Sequence, residues 1–161
     1  SNTTGMDQYR YPAPEVVNSV GLKVHWFSYY KKWTPHDNYY YAVQNCGFQP
    51  NPRRTEGTYS KYASLDDKLD GLHFFMQYIK YGLGRCTSEA SQEIRSGHIT
   101  REEAVALVKQ FDSEFPAEHF TECLKFLNLS EVEFWEIVDK FRAPHLWEVV
   151  DGRWQLKHTV S

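Results

Sequence analysis

Between Lys80 and Arg95 the chain sets cations and glycines around the mouth of a helix. The residues are Lys80, Gly82, Gly84, Arg85, Thr87 and Arg95. Two glycines expose backbone N–H groups, a helix N-terminus adds positive dipole, and the flanking side chains add charge. That combination holds a phosphate or pyrophosphate. Arginine brings a bidentate fork and lysine a point charge. A second reading uses the same residues structurally. Gly82 is then an ordinary helix C-cap, and Lys80 and Arg85 complement the C-terminal dipole of the preceding helix. Under the anion reading, Arg85→Ala weakens ligand binding about tenfold or more and leaves thermal stability almost unchanged.

Other residues carry less pointed chemistry. Trp33 and Asp37 suit contact with a ligand, or a turn anchored by a buried indole. Asp66, Asp67 and Asp70 suit a solvated, cap-friendly face, with Asp67 placed to face the same ligand. Of the seven histidines, His73 lacks a helical partner at i+4, because Leu69 and Gln77 flank it. No HxxxH pair occurs, and Cys46, Cys86 and Cys123 form no CxxC pair. Neither a metal site nor a disulfide framework is indicated. No GxSxG stretch supports a hydrolytic triad, so no catalytic residue is assigned.

These groups need elements to place them. Leu65, Leu69, Leu72, Met76 and Ile79 recur at helical spacing and predict a helix over 64–82, with Ser64 as its N-cap. Gly71 in mid-helix costs about 1 kcal/mol relative to alanine, which a close approach by another backbone or a ligand explains. Thr87 or Ser88 caps the next helix, over 87–96. Thr100 to Glu103 and Ser130 to Glu133 are capping boxes that open helices over 101–111 and 131–142. Pro116 opens another over 116–127. Asp151-Gly152 between alternating runs predicts a two-residue hairpin.

Upstream the signals are weaker. Ser1–Gly5 reads as a frayed end and Tyr9–Pro14 as extended chain. Glu15–Val20 predicts a short helix, Leu22–Tyr30 a strand, Trp33–Asp37 a turn, and Asn38–Asn45 a tyrosine-rich helix. Phe48–Tyr62 has no period and reads as a long exposed loop, functional or mobile. The fold class is therefore mainly α with minor β. An edge segment spans residues 1–60, and a helical domain ending in a hairpin spans 61–161.

Composition bounds the partners. The 161 residues carry a net charge of −3. Residues 1–84 hold nine Lys/Arg against seven Asp/Glu, and residues 85–161 hold nine against fourteen. No basic stripe exists, which argues against nucleic acid as a partner. No apolar run reaches the roughly 18 residues of a membrane span. Scattered, odd-numbered cysteines fit a reducing cytoplasm.

The wording of the chain says more. SYYKKWTPHDNY, the block from Glu56 to Asp112 that begins EGTYSKYASLDDKLDGLHFFMQYIKYGLGRCTSEASQEIR, and EFWEIVDKFRAPHLW closely resemble the C-terminal part of the N-acetyl sugar amidotransferases. These are PP-loop ATP-pyrophosphatase-like enzymes of lipopolysaccharide and O-antigen biosynthesis. The resemblance runs from about Tyr9 to Lys157. It implies ATP-dependent conversion of the acetamido group of a nucleotide-linked N-acetyl sugar to an acetamidino group. Ammonia comes from a separate glutaminase subunit, and ATP with Mg is the cofactor of the full-length enzyme. The family's SGGxDS-type phosphate loop and its cysteine-rich segment are absent here. The chain thus resembles the end of the catalytic domain plus a helical lobe, and alone is expected to bind no ATP and to be inactive. Leu22–Tyr30 would be a remnant strand of the α/β domain. The resemblance is compatible with two roles. In one, Trp33, Asp37, Asp67, His73, Lys80, Arg85, Thr87 and Arg95 face a sugar nucleotide. In the other, the lobe is non-catalytic and docks the glutaminase or a second copy as a homodimer. Convergence of the cations on one pocket favours the first role, and dispersal the second.

Overall fold

The computed structural model describes Gly5 and residues 9–161. Ser1–Thr4, and with them most of the expected frayed end, lie outside the described residues. The chain divides into two units, Ser1–Trp33 and Thr34–Ser161.

In the first unit Pro14–Val20 forms α1, closed by Gly21 in the left-handed region at φ 63°. Leu22–Tyr30 is not the expected strand. Residues 22–26 are irregular, and Phe27–Tyr29 form a 3-10 turn. The physical reason is partnership: a strand needs a ladder, and none is offered among the described residues. The segment satisfies itself locally instead. Tyr29 N donates to Trp26 O at 3.0 Å and Tyr30 N to Phe27 O at 2.9 Å. The Tyr30 ring stacks on His25, and the two side chains are hydrogen-bonded.

The second unit holds the remaining elements. The turn expected at Trp33–Asp37 is the start of a helix, because Thr34 is an N-cap that accepts from Asp37 N at 3.2 Å and Pro35 takes the first turn. That helix, α2, spans Pro35–Cys46. Next come α3 (Asp70–Tyr81), α4 (Arg85–Ser96), α5 (Arg101–Phe111), α6 (Phe120–Leu127) and α7 (Glu131–Lys140). The hairpin pairs β1 (Trp147–Val150) with β2 (Arg153–Leu156), antiparallel, Trp147 facing Leu156. It turns at Asp151-Gly152, both at positive φ (51° and 75°). The molecule is mainly α with minor β, as the periodicity predicts.

The core is built on α3. Leu72, Phe75 and Ile79 are buried against Cys123 of α6, Phe134 and Val138 of α7, and Trp147 of β1. The Trp147 indole N–H donates to Ile79 O at 2.7 Å, which ties the hairpin to the end of α3. Gly71 is explained by close approach: a Cβ there would lie 2.8 Å from Pro116 Cβ. Several boundaries differ from the spacing argument: α6 begins at Phe120 rather than Pro116, and α7 ends at Lys140 rather than at 142. The long helix begins at Asp70, not Ser64, because Ser64 sits at φ 53° and its hydroxyl donates to Asp70 Oδ2 at 2.5 Å. The fourth begins at Arg85, with Gly84 and not Thr87 or Ser88 as N-cap.

Phe48–Tyr62 is not an exposed loop. Thr58 and Ser60 are buried, and the segment is strapped to the α5–α6 connection. Arg54 donates from both terminal nitrogens to Glu114, each at 2.6 Å, and Gly57 N donates to the same carboxylate at 2.8 Å. The Glu56 carboxylate accepts from Ala117 N at 3.1 Å and Glu118 N at 3.1 Å. Among the described residues no helix is long and apolar enough to cross a membrane.

Candidate functional site

The start of α4 does bind an anion, and that anion belongs to the protein. The Asp112 carboxylate, just past α5, accepts from Gly84 N at 2.8 Å, Thr87 N at 2.9 Å and Thr87 Oγ1 at 2.7 Å. It satisfies N–H groups that a helix start leaves free and sits at the positive end of the dipole. Gly84 is required by contact: a Cβ would lie 2.6 Å from Asp112 Oδ1 and 2.7 Å from Asp112 O.

Arg85 is turned inward, its side chain 11% exposed. Its Nε donates to Glu89 Oε1 at 2.9 Å, and one terminal nitrogen reaches Asp70 Oδ2 at 3.3 Å and the Ser64 hydroxyl. The guanidinium lies over the Phe74 ring at 4.2 Å. Its charge is met by two carboxylates and one π-face. The expectation that Arg85 carries little packing is therefore corrected: it is a nearly buried hub.

The other expected residues lie apart from this hub. Lys80 is exposed, its ammonium over Tyr81 and Phe141 at 5.5 and 5.2 Å. Arg95 is exposed in the last turn of α4. His73 is exposed on α3, edge-on to Phe74. Trp33, in the first unit, is 60% exposed and packs edge-on against Phe27 at 5.8 Å, so it is no buried anchor. Asp37 accepts from the Thr34 hydroxyl at 2.7 Å and stands 3.5 Å from His98 Nε2. Asp67 accepts from Leu69 N at 2.8 Å. Of the eight, Arg85 and Thr87 share one helix end, while Lys80 and Arg95 are dispersed.

Two sizeable clefts lie among the described residues of the second unit. The larger, about 310 Å³, runs between the strap, the turn before α3 and the chain entering α6. Asn51, Thr55, Ser64, Asp66 and Asp67 supply hydrogen-bonding groups, and Arg53 and His119 supply positive or titratable ones. Arg53 pairs with Glu118 at 2.5 Å. The Arg54 guanidinium, hydrogen-bonded to Glu114, holds that carboxyl below the usual carboxylate range, and Gly57 N adds to the effect.

The smaller cleft, about 260 Å³, is lined by Thr34, His36, Tyr62, Arg85, Glu93 and His98 among others. Burial, with Glu89 and Glu93 nearby, pushes the Tyr62 phenol up to about 12. Burial likewise pushes the Cys86 thiol up to about 12, which disqualifies it as a thiolate nucleophile near neutral pH. One atom each from His36, Glu93 and His98 lie within 4.8 Å of one another, a set of donors able to hold a metal. Helical spacing missed this trio because it is not on one helix face. Glu93 and His98 flank the C-cap at Gly97, where His98 N donates back to Glu93 O at 2.9 Å, and His36 arrives from α2. The signal available was the Glu93-to-His98 spacing across a helix-ending glycine.

No curated protein matches the chain. Residues 56–160, which hold the second half of the strap, α3 to α7 and the hairpin, match the family described as LPS biosynthesis protein WbpG-like, C-terminal domain, and the chain belongs to that family.

Proposed function

We propose that this chain is the C-terminal part of an ATP-dependent N-acetyl sugar amidotransferase of lipopolysaccharide biosynthesis, and that its larger cleft takes the sugar portion of a nucleotide-linked substrate. The observation that carries the reading is the lining of that cleft. It is lined by hydroxyl, amide and carboxylate groups of Asn51, Thr55, Ser64, Asp66 and Asp67, with His119 and with Arg53, which would exchange Glu118 for a phosphate. Sugar hydroxyls ask for such groups at fixed places, and a volume of about 310 Å³ lies within the usual range for small-molecule sites. ATP with Mg and ammonia enter through the rest of the enzyme and its glutaminase. The residues of this chain bind and orient the sugar.

The test is calorimetric titration of a UDP-linked N-acetylhexosamine into the full-length enzyme, wild type, Asp67→Ala and Arg53→Ala. A lost charge-assisted contact is worth roughly 1.5–3 kcal/mol, so each variant should weaken binding about tenfold or more, while circular dichroism shows the fold retained. Equal affinities would sink the assignment of the cleft.

A second reading, a lobe that docks the glutaminase or another copy, is favoured by one observation. The expected cations do not gather: Arg85 is neutralised internally, and Lys80 and Arg95 are dispersed. Light scattering of the chain with and without the glutaminase separates the two. A complex, with no sugar-nucleotide affinity, selects the lobe.

A further inference from the structure

We propose that His36, Glu93 and His98 form a binding site for a divalent transition-metal ion, with zinc the best fit to the donors. Two imidazoles and one carboxylate make the donor set. Imidazole nitrogen suits zinc and its transition-metal neighbours, whereas magnesium and calcium take oxygen. Three protein ligands with a fourth position open is the pattern of a reactive zinc site rather than a closed structural one.

The geometry supports it. His36 Nδ1 stands 3.6 Å from Glu93 Oε1. Ligands about 2.05 Å from a tetrahedral zinc are about 3.3 Å apart, so this pair is close to an edge of the polyhedron. The three donor atoms all fall within 4.8 Å of one another, and Glu93 is buried. The two imidazole centroids lie 4.7 Å apart, with the rings tilted by 40°.

The backbone prepares the site. Gly97 at φ 78° ends α4, and the His98 N to Glu93 O bond folds the histidine back onto the turn that carries the glutamate. Two ligands are thus preset by one helix terminus, which lowers the ordering cost of binding. The third, His36, is fixed in the first turn of α2 by the Thr34 cap.

His98 supplies a second, independent observation. Its Nδ1 is buried without a hydrogen-bond partner, while its Nε2 faces Asp37 Oδ1 at 3.5 Å. A metal-bound histidine characteristically uses one ring nitrogen for the ion and turns the other to a carboxylate. Asp37 is therefore assigned as the outer-shell partner. The charge balance also permits a cation, since the arginine lining the same cleft, Arg85, is already paired with Glu89 and Asp70. The fourth position opens toward that cleft, where a water or a ligand oxygen completes the tetrahedron.

The experiment is titration of zinc, and separately of cobalt(II), into untagged chain stripped with a chelator. Calorimetry reads affinity, and the visible spectrum of cobalt reads coordination number. A single ion should bind, with the intense bands of a four-coordinate cobalt. Outer-shell partners alone are worth about 10–100-fold, so His36→Ala, His98→Ala and Glu93→Gln should each weaken binding about a hundredfold or more, and Asp37→Ala about tenfold. Zinc should raise the melting temperature of wild type and not of those ligand variants. Circular dichroism checks folding, and if the buried Glu93→Gln fails it, the half-exposed His36 still decides. Absence of binding to wild type, or undiminished binding in both histidine variants, overturns the proposal. In the second case the ion sits on another surface histidine or on Cys46.

Discussion

The start of α4 and the starts of α5 and α7 solve one problem in two ways. Each helix leaves N–H groups without an intrahelical partner. At α5, Thr100 Oγ1 accepts from Glu103 N at 3.2 Å and Glu103 returns the bond to Thr100 N at 2.8 Å. At α7, Ser130 and Glu133 repeat the exchange at 3.3 and 2.8 Å. At α4 the cap position is Gly84, which has no side chain to give, and Asp112, 28 residues on, supplies the carboxylate. A local cap stabilises its own helix. A remote cap also fastens α4 to the end of α5, so its loss is a tertiary event. The same helix start carries Arg85 at the positive end of its dipole, an unfavourable place for a cation. Asp112, Asp70 and Glu89 offset it.

This contrast is open to breakage, beginning with the largest effect. Gly84→Ala should be the worst change, because its Cβ would meet both the carboxylate and the backbone oxygen of Asp112. A loss of about 3 kcal/mol is expected, read from urea unfolding. A change under about 1 kcal/mol would mean that the helix pair slides apart at little cost. Asp112→Ala should cost about 2–3 kcal/mol, since it strands N–H groups at a buried helix start. Arg85→Ala should cost about 2 kcal/mol, because it leaves Asp70 and Glu89 without their cation. Sugar-nucleotide affinity should not move. A binding loss with intact stability would restore Arg85 as a ligand contact.

The strap carries a second remote carboxylate, and its effect depends on pH. Glu114 has a folded pKa below its unfolded value, chiefly because Arg54 donates to it. Its stabilisation is complete above about pH 4.3, the unfolded value, and is lost as pH falls through the lower folded one. Acid titration of the melting temperature should therefore fall less steeply in Glu114→Gln than in wild type over that window. Parallel curves would show that the strap makes no linked contribution. The smallest effects belong to the local caps. Thr100→Ala and Ser130→Ala should cost about 1 kcal/mol each, with additive losses in the double variant, because the two boxes share no partner.

The same contrast explains what could be read from sequence. The α5 boundaries, the α7 start, the Asp151-Gly152 turn and the Gly82 cap follow from residues within four positions of each other, and they match the spacing argument. Gly71 was legible as a close approach, though not that Pro116 makes it. The extension of the long helix back to Ser64 fails because Ser64 and Asp70 serve Arg85, a partner outside any helical window. The strap reads as free loop because Arg54 and Glu114 meet only in space. The His36, Glu93 and His98 trio has the same character, half local and half remote. Chemistry built inside one turn is visible in a sequence, and chemistry built across turns is not.

The strap has a kinetic consequence. Its ties join Arg54 and Gly57 to Glu114, and Glu56 to Ala117, across 57 to 61 positions of chain. Loops of that length close only after local helices have formed, since the entropy of closure precedes the reward of contact. The strap is thus expected to dock late in folding and to part early in unfolding. The larger cleft has the strap as one wall, so it is expected to form last. Any ligand held there acts on the rate of opening, and so prolongs the lifetime of the native molecule more than it hastens its formation.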